Sequence, residues 1–234
     1  MAGCSVLRSV RYPWGMRVAA GMLGCLAVLA VSCAHGPPPA PVDRGRPDAA
    51  PSMAALPTLQ PGCSAKTQRT HAGMLSARNV FDDSMPPPPS DHAFDSLQEW
   101  VEKAVAGWVE ARRAAIEETR YEFHAAGTPS PGEEIVAHAV IGLIHEDTAR
   151  SLEQIPTPRE LDTEPEIAEM FGEVTRVHAR PFLSAALVEF RDCVNLAYDG
   201  PEDMRHWANF CQVRFARLRA VIDQAQGQAL VTEQ

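Results

Sequence analysis

The chain has 234 residues, a formal net charge of −9 and 22% charged residues. Residues 1–32 hold three arginines and no acid, so the chain without them carries −12. An acidic chain is repelled by phosphate backbones and anionic lipid, which argues against nucleic acid as a partner.

In chain order, the first element is a basic start with Arg8, Arg11 and Arg17, followed by an apolar or small run from Val18 to Val31. A positive region followed by an apolar run of ~7–15 residues has the layout of a secretory signal. A spanning helix needs ~20 apolar residues, so this run is short for a membrane span. The residues at its end, Ala30-Val31-Ser32-Cys33, resemble the lipobox of bacterial lipoproteins, with alanine where leucine is usual. The resemblance implies cleavage before Cys33 and attachment of diacylglycerol to its thiol. Ala34 follows, and the absence of aspartate there leans toward the outer membrane. The expectation is a lipid-anchored envelope protein facing the periplasm. The alternative is a soluble secreted form, since Ala30 and Ser32 also suit a small-residue cut.

Residues 33–62 are rich in Pro, Ala and small polar residues and predict a tether. Such a segment buries too little apolar surface to offset its ordering entropy. Residues 63–89 show weak pattern and predict an irregular segment ending in the proline run Pro86–Pro89.

A helical domain is predicted over 90–226, with a tail at 227–234. Ser90 or Asp91 can cap the first helix, whose stripe is Phe94, Leu97, Val101, Val105, Trp108, Val109, Ile116 and Phe123. Ser130 caps the next, with Pro131 at its first position and Val136, Ala139, Val140, Leu143 and Ile144 on one face. A third helix begins near Pro165 with Ile167, Met170, Phe171, Val174 and Val177. At Pro181 its stripe changes phase to Leu183, Ala186, Leu187, Phe190 and Val194, and proline is expected to kink or break it. After a tight turn at Tyr198–Pro201, the last helix carries Met204, Trp207, Phe210, Cys211, Phe215 and Leu218. The fold class is all-α: antiparallel hairpins, as a tetratricopeptide-like array or a small bundle.

Residues 152–219, with "LEQIPTPREL", "EPEIAEMF", "RPFLSAALVEFRDCVNLA" and "WANFCQVRFARL", are similar to the C-terminal part of tetratricopeptide-like helical proteins of the cell envelope. No full 34-residue consensus is present. The resemblance implies helical hairpins used for protein binding, with another envelope protein as the partner and no cofactor.

Three constellations bear on chemistry. Cys193 and Cys211 flank the last turn in an exported chain, and their pairing is expected, although a turn of only Tyr198–Pro201 offsets them by roughly 7 Å along the axes. Cys63 paired with either one, or free buried thiols, remain open. Glu134, His138 and His145 share a helical face, but His138 and His145 stand two turns apart, ~10 Å, too far for one ion. The expected reading is a solvated face without metal. Arg112, Asp147 and Arg214 interrupt apolar stripes, and Arg112 and Asp147 are placed to form a structural ion pair. No phosphate loop, G-x-S-x-G, H-E-x-x-H or C-x-x-C occurs. The expected function is a non-enzymatic helical interaction module. The alternatives are a metal-dependent enzyme on the Glu134 face, or a ligand carrier lined by Trp100, Trp108 and Trp207.

Overall fold

The computed structural model describes residues 51–60, 63–125 and 127–232, the last eight of these by backbone alone. The signal at 1–32, lipidation of Cys33 and the first part of the tether lie outside the described residues.

The described chain is all-helical, as the sequence patterns require. Its helices are α1 (Gln68–Asp82), α2 (Phe94–Trp100), α3 (Ala106–His124), α4 (Pro131–Glu153), α5 (Pro165–Tyr198) and α6 (Arg205–Thr232). A π-helical turn at Val101–Val105 joins α2 to α3. Successive helices α1, α3, α4, α5 and α6 run antiparallel. Phe123 meets Gly73, Asp147 meets Arg112, Glu189 meets His138, and Cys193 meets Cys211.

Helix α4 is the centre, packing against α1, α3, α5 and α6. Its sequence explains this position. Ile135, Val136, Ala139, Val140, Ile141, Leu143 and Ile144 are all buried and cover most of the circumference, leaving only the Glu134–His138–His145 face polar, and a helix so largely apolar is stable only when surrounded. Ser130 accepts from the Glu133 amide while Glu133 accepts from the Ser130 amide, and Pro131 occupies the first position. Thr67, which caps α1, also donates to Glu133 at 2.6 Å, so the two helices start from one hydrogen-bonded knot. Gly142 admits the Phe190 ring of α5: a Cβ there would lie 3.0 Å from it.

Four expectations need correction. Residues 63–89 are not irregular throughout, because α1 occupies Gln68–Asp82 and packs on α3 and α4. Its buried face is Thr70, Gly73, Ala77 and Val80, and a Cβ at Gly73 would stand 2.6 Å from the Phe123 ring. The described end of the tether also packs: Pro51 and Leu56 are buried, and His206 reaches the Thr58 carbonyl at 3.1 Å. Deletion of 36–61 would therefore remove part of the core. Pro181 does not break α5. It lies on the exposed side, where the carbonyl that loses its amide partner can be hydrated. Finally, the helical domain does not stop at 226, since α6 runs on to Thr232.

The phase change in α5 has a structural outcome. Phe182, Leu183, Ala186, Phe190 and Cys193 are buried, whereas Ile167, Met170, Val174 and Val177 are 46%, 67%, 55% and 47% exposed. At 3.6 residues per turn these four fall within roughly 80° of each other, on the side turned away from the core. No described helix is long and apolar enough to cross a membrane.

Candidate functional site

The sequence-selected face of α4 divides in two. Glu134 and His138 come together with Arg120 and His124 of α3 and Glu189 of α5. Nδ1 of His138 lies 2.7 Å from a Glu189 oxygen, and Arg120 donates to the other oxygen at 2.7 Å. Glu134 stands 3.8 Å from His138 Nε2 and 3.5 Å from His124 Nε2. The result is a line of charged and titratable groups, Arg120–Glu189–His138–Glu134–His124, crossing three helices. His145 is elsewhere, two turns on, with its ring 6.1 Å from that of Phe182, and burial lowers its pKa.

An open hollow of about 380 Å³ lies against this line, bordered by Glu117, Arg120, Tyr121, His124, Glu134 and His138. Burial acts to raise the pKa of Glu189, but hydrogen bonds from His138 and Arg120 outweigh it, so its carboxyl titrates below the ordinary glutamate value. Glu189 thereby fixes the His138 ring and leaves Nε2 toward Glu134. That arrangement can hold and pass a proton. Its lining offers carboxylates, imidazoles and the Tyr121 hydroxyl, and no serine, threonine or cysteine. Among the described residues no group of three or more His, Cys, Asp or Glu is arranged to hold a metal ion.

Two further charged groups are interior. Arg112 pairs with Asp147, donates to the carbonyl oxygens of Val80 and Asp83 at the end of α1, and lies over the Trp108 ring at 5.1 Å. Both carbonyls lie at the C-terminal end of α1, so one side chain closes that end and ties it to α3 and α4. Desolvation lowers the Arg112 pKa and raises that of Asp147, each opposed by the other's charge. Arg214 is paired with Glu146, a residue that sequence reasoning passed over in favour of its neighbour Asp147.

No family model, curated protein or solved structure matches the chain.

Cys193 and Cys211 form a disulfide with Cα atoms 6.2 Å apart, and Cys63 is a buried free thiol. The axial offset expected from a turn of only Tyr198–Pro201 is absent because a 3₁₀ turn at Glu202–Met204 delays α6 to Arg205. Each cysteine then lies about one and a half turns from the end of its helix. Trp108 and Trp207 are core residues, and no tryptophan borders the 380 Å³ hollow or a second one of about 540 Å³ between α1 and α3. Arg120, His124 and Glu189 were missed in the sequence. Glu189 alone carried a signal, a carboxylate set between Leu187 and Phe190 in the buried half of α5.

Proposed function

We propose that this chain is an exported lipoprotein, anchored through Cys33 in the bacterial envelope, whose helices form a protein-interaction module. The single observation that carries the interaction role is the face of Ile167, Met170, Val174 and Val177, four large apolar side chains turned to solvent on one side of α5. Contiguous exposed apolar surface marks an interaction site in soluble domains. An amphipathic helix is the kind of occupant such a face accepts, because it presents matching side chains at the same helical spacing.

The anchoring part rests on the sequence alone: the basic start, the short apolar run and Cys33, followed by a proline-rich stretch. Placement at the outer membrane, facing the periplasm, is supported by alanine instead of aspartate after Cys33. The likeness of residues 152–219 to tetratricopeptide-like envelope proteins supports binding over catalysis.

A photo-crosslinking residue placed at Met170 of the full chain in its native envelope tests the reading. A protein adduct is expected there and none at Glu110, an exposed position on α3. Failure to trap any protein at Met170 and at Val174 overturns the interaction role.

A further inference from the structure

The edge of the exposed α5 face carries an ordered charge pattern. Glu166 and Glu169 lie along one border of the stripe toward its start, and Arg176 and Arg180 lie along the same border toward its end. Glu173 sits between them and is already engaged by both arginines, 2.9 Å from Arg176 and 2.6 Å from Arg180. The border therefore runs from negative to positive through a locally compensated centre. The apolar residues are close to symmetric about the same centre: Ile167 and Val177 stand five residues to either side of position 172, and Met170 and Val174 stand two to either side.

A face of this kind fits itself when turned around. Two copies laid antiparallel along α5 bring Met170 of one against Val174 of the other, and Ile167 against Val177. The same arrangement sets Glu166 near the other copy's Arg180, and Glu169 near its Arg176, and twofold symmetry makes each pair twice. A parallel twofold arrangement would instead put the two charged borders on opposite sides of the contact, so that none of these pairs would form. An isologous twofold contact needs a self-complementary patch, and this face supplies one in both apolar content and charge.

We infer that the occupant of the α5 face is a second copy of this chain, bound antiparallel through residues 166–180. The inference rests on the interaction-module reading and names its partner. The stripe from Ile167 to Val177 is about 15 Å long at 1.5 Å per residue. That is short beside the ~800 Å² per partner of a standard interface, so the contact is weak and depends on concentration. Confinement of both copies to one membrane surface would favour it.

Charge exchange tests this on the full chain, purified in mild detergent and followed by sedimentation over a dilution series. The wild type is expected to move from dimer to monomer on dilution. Glu166→Arg with Glu169→Arg leaves Glu173 as the border's one acid among four arginines, and Arg176→Glu with Arg180→Glu makes it negative throughout. Each double variant alone should dimerise about tenfold or more weakly, since four exposed pairs turn from attractive to repulsive. Mixing the two should restore dimer as a heterodimer. All four positions are at the surface, and helicity by circular dichroism verifies that both variants fold. A wild type that stays monomeric at the highest concentration, or dimers indifferent to both variants, overturns the inference. Photo-crosslinking at Val174 separates it from the broader reading. An adduct of twice the chain's own mass supports the second copy. An adduct with a different protein only overturns the second copy and leaves the interaction module standing.

Discussion

Nη1 of Arg214 on α6 lies 3.0 Å from both carboxylate oxygens of Glu146 on α4, and Glu146 is only 1% exposed. Arg150 also donates to Glu146 at 3.0 Å. The carboxylate is thus held from its own helix and from the neighbouring one. Removing one member of a buried pair leaves a charge with neither water nor partner. Glu146→Ala is therefore expected to destabilise the chain by about 3–5 kcal/mol. Glu146→Leu together with Arg214→Met should cost clearly less than Glu146→Ala, because no orphaned Arg214 remains. Urea denaturation of the three chains measures this, and equal losses in both variants would refute a structural role for the pair.

The Cys193–Cys211 bond closes a short loop, with 18 residues of sequence separation. A loop of this size corresponds to about 3 kcal/mol in the chain-entropy account. Reduction should then lower Tm by roughly 6–12 °C, at ~2–4 °C per kcal/mol for a domain of this size. Non-reducing peptide mapping should recover Cys193 joined to Cys211, with Cys63 alkylated only after unfolding. Recovery of Cys63 in a mixed disulfide would contradict the pairing.

Glu189 makes stability depend on pH in a defined direction. Its carboxyl is held below the ordinary glutamate value in the folded chain, so the unfolded chain takes up a proton first on acidification. The stability from this group is complete above the ordinary value and is lost as pH falls through the folded one. Asp147 acts oppositely. Burial raises its folded pKa, so its ionised form costs stability above the unfolded value and acid relieves that cost. Glu189→Gln should be less stable than wild type near neutral pH and should lose less on going to about pH 4. Isothermal denaturation at the two conditions decides it, and parallel losses in both chains would contradict the assignment.

Anchoring is tested separately. Mass spectrometry of the native protein should find an N-terminus at Cys33 bearing diacylglycerol, and Cys33→Ser should leave unprocessed precursor. An unmodified N-terminus downstream of Cys33 would exclude the lipoprotein reading.

Helix class was legible because periodicity and caps are local: the stripe of α4, its Ser130 cap and Pro131 start are readable within a few residues. Helix α1 was not. It approaches α3 closely, so its buried face is Thr70, Gly73, Ala77 and Val80, too small and too polar to form a hydrophobic stripe. The first half of α5 shows the converse. Ile167, Met170, Val174 and Val177 form a clear stripe, but periodicity reports amphipathic character and does not say what covers it. The Arg112–Asp147 pair was legible as charges at apolar positions. The Arg120–Glu189–His138 line was not, because it assembles from three helices whose relative rotation no single-helix pattern contains.

The enclosure of α4 by α1, α3, α5 and α6 has a consequence for how the molecule breathes. Fraying of α1 or of the last turns of α6 uncovers only one side of α4. Its backbone amides from Ile135 to Ala149 become available to solvent deuterium only when the array comes apart as a whole. These amides should be the slowest to exchange, and the free energy read from them should equal that of complete unfolding, while amides at residues 165–178 exchange through small local openings. Motions at the α5 face and at the α1–α3 hollow are then independent of one another, separated by a helix that opens last.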